Sequence, residues 1–394
     1  MKVLVISHMY PSFFNEVAGI FVHEQVKALM AKGVEVRVVS PVPWAPFPIK
    51  YLRKKWKRLS QVPQQAQWDG VGVAYPRYLA FPRAWLFATS GKRMYRGIKK
   101  LVHEIHREFP FELIHAHVAL PDGYAGALIA REIGVPLVVT VHGQDAYATI
   151  HWNSRCREAV HWVLEEANRV IVVSSPLRTA LEKELGSLQN VVVIHNGVSA
   201  EIYGSSSFRA GSSKVVLSVG YLIERKGHEF VLKALARLRS KHPDVRYIIV
   251  GTGPRKNKLQ KLATSLGLHD RVHFKGLVPH DQLSPIFASC DVFALPSWNE
   301  AFGVVYIEAM ANGKPVIGCR GEGIEDFVEH GKTGLLVKPC DVDSLVEALD
   351  YLLSHPEEAR AMGERARKVV LENYTWEKNA EKTIQIYREV LNGR

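Results

Sequence analysis

Two stretches of this chain repeat one pattern: a short apolar run, a turn, and then a longer run with apolar residues at helical spacing. In the first stretch the apolar runs are residues 3–7, 34–40, 113–117, 137–141, 170–174 and 191–195, mostly Val, Ile and Leu. Between them, residues 19–32 carry helical spacing and stop at Gly33, and residues 93–109 form a basic amphipathic segment. Short β-branched runs bounded by turn residues read as buried strands. Their alternation with helices predicts a parallel sheet covered on both faces, because parallel strands need long crossovers that lay helices on the sheet. Residues 41–63, basic and rich in proline, break the pattern and read as an excursion. The first eight residues, from Met1 to His8, are too short in their apolar part for a signal peptide and read as the first strand.

Residues 199–213 are small and polar, with little to bury, and read as a linker. The alternation then restarts, with apolar runs at 215–219, 247–250, 272–274, 292–295, 315–317 and 335–337. The expected architecture is α/β: two Rossmann-like doubly wound domains, 1–198 and 214–374, facing across a cleft. An amphipathic helix within 375–394 could cross back to the first domain. A length of 394 residues suits two such cores. Ligands of these sheets sit beyond the C-terminal ends of the strands, so the cleft is the expected site.

Composition narrows the class further. With 47% hydrophobic and 23% charged residues, the chain has a globular profile. It holds no apolar run of the ~20 residues that span a bilayer. Cys156, Cys290, Cys319 and Cys340 have no paired spacing, which argues against a disulfide framework or zinc site and points to a reducing cytoplasm. The net charge is +12, and residues 1–200 carry nine of those charges, concentrated at 50–58 and 92–100. Basic clusters with interleaved aromatics favour an anionic membrane surface, with a merely solvated basic face as the alternative. No nucleic-acid-binding module is recognisable, so nucleic acid is not an expected partner.

The segment Pro296-Ser297-Trp298-Asn299-Glu300-Ala301-Phe302-Gly303-Val304-Val305-Tyr306-Ile307-Glu308-Ala309-Met310-Ala311 follows the run at 291–295 and starts a helix near Gly303. The first turn of a helix leaves backbone N–H groups free to donate to phosphate oxygens. Carboxylates accept well from hydroxyls, so Glu300 and Glu308 on either side of that anion site suit a sugar nucleotide. The loop Gly220-Tyr221-Leu222-Ile223-Glu224-Arg225-Lys226-Gly227-His228 also follows a strand, and Arg225 and Lys226 at the start of its helix would neutralise a departing diphosphate. Gly251 and Gly253 follow a third strand and permit close backbone approach to a ligand.

In the first domain, His142 ends a strand before Gly143 and is a polar ligand candidate. Gly19 opens the first helix and is a second candidate contact; it does not belong to a three-glycine dinucleotide fingerprint, so a nicotinamide cofactor is disfavoured. His115 and His117 share one strand face, a possible metal pair for which no third ligand is spaced to match. Asp341 and Asp343 invite a metal-diphosphate reading, but the plainer one is that either caps the helix that follows.

Taken together, the Glu-x7-Glu segment followed by Ala-Met-Ala, the Lys-Gly loop and the His-Gly strand end resemble the family 4 glycosyltransferases of the GT-B fold. The resemblance spans nearly the whole chain. Ala18-Gly19-Ile20-Phe21-Val22-His23-Glu24-Gln25 and Pro121-Asp122-Gly123-Tyr124 are similar to the bacterial subgroup that builds cell-surface polysaccharides, teichuronic-acid-type enzymes included. It implies that Glu300 holds donor-sugar hydroxyls, that Phe302, Gly303 and Val304 offer backbone N–H groups, and that Glu308 binds the ribose. Arg225 and Lys226 would stabilise the diphosphate, His142 would lie beside the anomeric carbon, and Gly19 would leave room for the diphosphate. The implied reaction retains anomeric configuration without a metal or other cofactor. The donor would be UDP- or GDP-linked and the acceptor a glycan or lipid-linked molecule at the cytoplasmic membrane face. Two positions depart from the family pattern: Tyr221 replaces an Arg, and Ser199 replaces an Asp after Asn196-Gly197-Val198. The rival readings are a nucleotide-sugar epimerase or hydrolase on the same fold and a non-catalytic sugar-nucleotide-binding protein.

Overall fold

The computed structural model describes residues 1–12, 19–45, 54–81, 86–199 and 214–393. Nearly all of the expected linker, and residues 50–53 of the basic segment, lie outside the described residues. The chain divides into two compact units, Met1–His195 with Trp376–Arg394, and Asn196–Thr375.

The first unit has ten strands: β1 (Lys2–Ile6), β2 (Glu35–Val39), β3 (Val42–Trp44), β4 (Gln65–Trp68), β5 (Val71–Ala74), β6 (Arg77–Leu79), β7 (Leu113–His117), β8 (Leu137–Val141), β9 (Arg169–Val172) and β10 (Val191–Val193). Eight of them form one sheet in the order β10-β9-β8-β7-β1-β2-β5-β4. Every pair is parallel except β4 with β5, a hairpin turned by Asp69 and Gly70 at φ 47° and 81°. That Asp-Gly pair with two positive φ angles is the turn that matches strand twist. β7 and β8 are buried along their whole length; β8 is a largely apolar run, whereas β7 buries two histidines, His115 and His117, with its apolar residues.

The expected excursion at 41–63, of which residues 46–53 lie outside the described residues, is not without regular structure. It contains β3 and a helix at Lys54–Ser60, and β4, β5 and β6 follow it without having been anticipated. β4 reads Gln-Ala-Gln-Trp and lies at the sheet edge, half exposed, so it carries no apolar run to detect. The basic helix is Ser90–Glu108; it buries Met94, Ile98 and Val102, four residues apart, and exposes Lys92, Arg96, Lys99 and Lys100. The last helix, Trp376–Asn392, packs in this first unit. Gln25 Nε2 donates to Asn379 Oδ1 at 2.7 Å, Asn379 Nδ2 donates to the His195 carbonyl at 2.7 Å, and Tyr387 is fully buried.

The second unit has six strands: β11 (Val215–Val219), β12 (Arg246–Val250), β13 (Val272–Gly276), β14 (Val292–Ala294), β15 (Val316–Cys319) and β16 (Gly334–Val337). All are parallel, in the order β13-β12-β11-β14-β15-β16. The chain starts at the middle, winds to one edge, and returns to build the other half, which is the Rossmann order. Such a sheet opens a crevice where the winding reverses, here between β11 and β14. The corresponding reversal in the first unit is between β1 and β7. Asp341 settles one alternative: its Oδ1 accepts from Ser344 N at 2.7 Å and caps the helix Val342–Ser354.

Candidate functional site

The loops that follow β11 and β14 meet at the winding reversal of the second unit. After β11 the chain makes one tight turn, Glu224–Lys226, passes Gly227, and enters the helix His228–Leu238. Arg225 and Lys226 therefore lie in the turn before the helix, not at its start. Gly227 has φ 71°, and a Cβ there would overlap the carbonyl of Pro296 in the other loop, so only glycine permits this approach. Two further bonds join the loops: Trp298 N donates to the Arg225 carbonyl at 2.9 Å, and Arg225 Nη1 donates to the Asn299 carbonyl at 3.0 Å.

Held between them is an ion pair of Lys226 Nζ with Glu300 Oε2, with side chains 14% and 11% exposed. Ser297 Oγ donates to the same carboxylate oxygen at 3.0 Å and lies 3.0 Å from the Tyr306 hydroxyl. Burial by itself would push the Glu300 carboxyl up. The Lys226 ammonium, its hydrogen bond, the Arg225 charge and the Ser297 hydroxyl together outweigh burial and hold Glu300 below the ordinary carboxylate range. Glu300 is thus an ionised, oriented acceptor for hydroxyls, with two cations beside it.

The helix Val304–Ala311 begins immediately after Gly303, at φ 83°. A Cβ on Gly303 would come within 2.5 Å of the Tyr306 ring, which is why the entry residue carries no side chain. Gly303, Val304 and Val305 are half-buried, and the first N–H groups of any helix lack intrahelical acceptors. The Phe302 side chain is 2% exposed and packs on Phe327 at 5.0 Å between ring centroids, so only its backbone faces the site. Glu308 lies one turn further along the helix, buried, with Oε1 2.7 Å from His280 Nε2 in the turn after β13. Gly251 and Gly253 also meet a steric demand from within the unit. A Cβ on Gly251 would overlap the Gly220 carbonyl, and one on Gly253 would lie 2.5 Å from that of Leu222. This approach is to the loop after β11, which they brace. Tyr221, at the departing position, is 57% exposed.

The sequence reading missed Ser297, Tyr306, His280 and Glu322. Glu322 accepts from Asn299 N at 3.0 Å and Glu300 N at 2.7 Å. Ser297 and Tyr306 belong to the same loop and helix as Glu300, whereas His280 and Glu322 come from the turns after β13 and β15, and no local spacing announces those two.

In the first unit His142 is half-buried at the end of β8, with Nε2 2.9 Å from His117 Nδ1 and the two rings stacked at 5.2 Å. His115 Nδ1 is 2.6 Å from the Tyr387 hydroxyl and its Nε2 is 2.7 Å from Thr140 Oγ1. The His115 nitrogens and one of His117 are therefore engaged by neighbours, which does not fit the metal-pair reading. Among the described residues no cluster of three metal-ligating side chains forms. Burial pushes His115 and His142 down to about 3, and His117 well below its usual value, so all three are neutral at physiological pH. Gly19 has φ 66°, and a Cβ there would overlap the Met9 carbonyl. At the winding reversal of this unit, His8 Nδ1 is 2.6 Å from Asp122 Oδ2, a pairing the sequence reading did not find. Burial lowers the His8 pKa, but the Asp122 charge and hydrogen bond raise it by more, for a net rise.

The structure thus gathers Arg225, Lys226, Glu300, Phe302, Gly303 and Val304 at one sheet crevice, with Glu308 on the same helix. His142 and Gly19 belong to the other unit.

Comparison with known proteins gives two family matches that tile the chain. The model described as Glycosyltransferase Family 4 matches residues 18–202, and the one described as Glycosyl transferases group 1 matches residues 202–369. A putative teichuronic acid biosynthesis glycosyltransferase of Bacillus subtilis is 28% identical, over 89% of this chain and 88% of its own. A GDP-mannose-dependent alpha-(1-6)-phosphatidylinositol monomannoside mannosyltransferase of Mycolicibacterium smegmatis is 30% identical, over 86% of this chain and 89% of its own. Among solved structures, sucrose-phosphate synthase of Thermosynechococcus elongatus superposes over the full length of both chains with a TM-score of 0.82 at 24% identity, a likeness of fold.

Proposed function

The chain belongs to the family 4 glycosyltransferases of the GT-B fold, and from that membership we propose that it moves a sugar from a UDP- or GDP-linked donor to a glycan or lipid-linked acceptor, with retention and without a metal. The observation that carries the reading is the Lys226–Glu300 pair at the winding reversal of the second sheet. When the bond from the anomeric carbon to phosphate breaks, its electron pair leaves with the diphosphate. Lys226, Arg225 and the N–H groups at the start of the helix Val304–Ala311 would take up that charge, with no reorganisation needed at the moment of reaction. Glu300, kept ionised by Lys226, would accept from donor-sugar hydroxyls, and Glu308 from the ribose. His142 and Gly19 keep donor-contacting roles in this proposal. The new bond forms from an acceptor hydroxyl to the anomeric carbon, and its proton passes to the departing phosphate.

The test is incubation with UDP- and GDP-sugars and an acceptor panel, reading nucleoside diphosphate release and the anomeric proton of the product by NMR. Retained configuration without added metal supports the proposal, and an inverted product overturns the stereochemical part. Altered or free sugar without any elongated glycan would favour the epimerase or hydrolase reading instead.

Among the described residues, no helix is long and apolar enough to cross a membrane. We place the protein at the cytoplasmic face as a peripheral component. Lys92, Arg96, Lys99 and Lys100 on one exposed helix face, with Leu86 and Trp152 exposed as well, support docking on anionic lipid. Co-sedimentation with vesicles that is indifferent to lipid charge and to salt would count against it.

A further inference from the structure

Behind the loop that carries Glu300 lies a second carboxylate whose bonds go entirely to that loop's backbone. Glu322 sits in the turn after β15 and is 9% exposed. Its Oε1 accepts from Asn299 N at 3.0 Å and its Oε2 from Glu300 N at 2.7 Å. Two consecutive amides point at one carboxylate only if the chain turns sharply between them. Asn299 makes that turn with φ 53°, in the left-handed region. The next residue of the Glu322 turn takes part as well: Gly323 N donates to the Glu300 carbonyl at 3.0 Å, and a Cβ on Gly323 would overlap the Ala301 carbonyl. On the other side, Arg225 Nη1 holds the Asn299 carbonyl at 3.0 Å. Residues 299–301 are therefore clamped between the turn after β15 and the loop after β11.

This clamp is an expensive way to hold a loop. The left-handed region is uncommon for a non-glycine residue, although asparagine adopts it more readily than most and at modest cost. Burying a carboxylate costs more still, and burial does push Glu322 up, with Glu300 nearby adding repulsion. The two donated N–H groups offset part of that. Both costs fall on the one peptide that aims the Glu300 side chain, and strain stored at such a place points to a functional constraint.

We propose that Glu322 is a positioning residue: by fixing the Asn299–Glu300 peptide it holds the Glu300 carboxylate against Lys226, and so shapes the part of the site that grips the donor sugar rather than the nucleotide. The inference rests on the donor-sugar role given to Glu300 above.

The test separates sugar from nucleotide. Full-length wild type, Glu322→Ala, Glu322→Gln and Glu300→Gln are titrated calorimetrically with UDP, GDP and their glucose and mannose conjugates. Glu322→Ala should lose roughly tenfold or more in affinity for the sugar nucleotide, about the effect of one misplaced charged hydrogen bond, while the matching diphosphate changes less than about twofold. Glu322→Gln keeps one acceptor oxygen and should recover part of the loss. Equal losses for diphosphate and sugar nucleotide, or no loss for either, overturn the proposal. If Glu300→Gln itself leaves sugar-nucleotide affinity unchanged, the donor-sugar reading of Glu300 fails instead. A ligand-free crystal structure of Glu322→Gln, or of the Ala variant, decides independently of any ligand. Asn299 leaving the left-handed region and Glu300 parting from Lys226 are expected; an unchanged peptide with the ion pair intact contradicts the positioning role.

Discussion

Removing the Lys226 ammonium should leave Glu300 as a stranded buried charge. Both side chains of the pair are mostly buried, at 14% and 11% exposure. Breaking a buried pair by deleting one partner typically costs ~3–5 kcal/mol, because the other charge is left uncompensated. Here the Arg225 charge and the Ser297 hydroxyl remain on Glu300, which argues for the lower end, about 3 kcal/mol. For a domain of this size each kcal/mol moves the melting temperature by about 2–4 °C, so Lys226→Ala should lower melting of the second unit by roughly 6–12 °C near pH 7. The double variant Lys226→Ala/Glu300→Gln removes the stranded charge and should recover most of that loss, while neither variant regains turnover.

The pH dependence follows from the same pair. In the wild type Glu300 is held below the ordinary range, so its stabilisation is complete above the unfolded carboxyl pKa and is lost as pH falls through the lower folded value. In Lys226→Ala, burial is expected to dominate and raise Glu300 above the unfolded value of about 4.3. The penalty then appears only above that pH, and the deficit should shrink as pH falls towards it. Scanning calorimetry of wild type, single and double variants at neutral pH and near pH 5 reads all of this. Single and double variants that melt alike at both pH values would refute the reasoning.

Lys226→Ala should also lower turnover by roughly two to three orders of magnitude, the usual loss when one aimed electrostatic donor is removed, and near-normal turnover in a folded variant would argue against its role. Gly303→Ala must place a Cβ within 2.5 Å of the Tyr306 ring at φ 83°. It should cost at least ~1–3 kcal/mol of stability and weaken nucleotide affinity together, as thermal melting with and without UDP or GDP would show. Glu308→Ala should raise the donor KM with little change in kcat, and an unchanged KM would remove Glu308 from ribose binding. Asp341→Ala should cost ~1 kcal/mol through its lost helix cap and leave turnover unaffected, which distinguishes it from the site variants.

The parts of the fold that were legible in the sequence are those where burial is continuous. β7, β8 and β11 are buried end to end, and the Val-rich runs of β8 and β11 and the Leu-Ile start of β7 identified them within a residue or two. β4 escaped notice because an edge strand needs no apolar face, and Gln65 and Gln67 look like loop. At the site, Glu300, Gly303 and Glu308 lie within one strand–loop–helix unit, so a local motif could reveal them. Glu322, 22 residues beyond Glu300, and His280, 28 before Glu308, act through contacts between separate turns, which only the folded sheet creates. At Gly251 and Gly253 a glycine in a βα turn signals close approach without naming what approaches, and the folded structure adds the loop after β11 as one such neighbour. The chemistry expected of Glu300, Glu308, Arg225 and Lys226 is legible in their placement after strands, and the family resemblance assigns each its part of the donor, whereas the ion pair and the clamp on residues 299–301 exist only in the folded geometry.

The most direct test of the account is thermal stability of the full chain against UDP, GDP, ADP, CMP and their sugars, with and without EDTA, alongside Lys226→Ala. A ligand at ~100 times its dissociation constant stabilises the folded state by about 2.7 kcal/mol, an easily visible shift. The account predicts a shift with UDP- or GDP-linked compounds that survives EDTA and is weakened in Lys226→Ala. No shift with any nucleotide, or one that EDTA abolishes, would contradict a metal-free nucleotide-sugar site at Lys226 and Glu300.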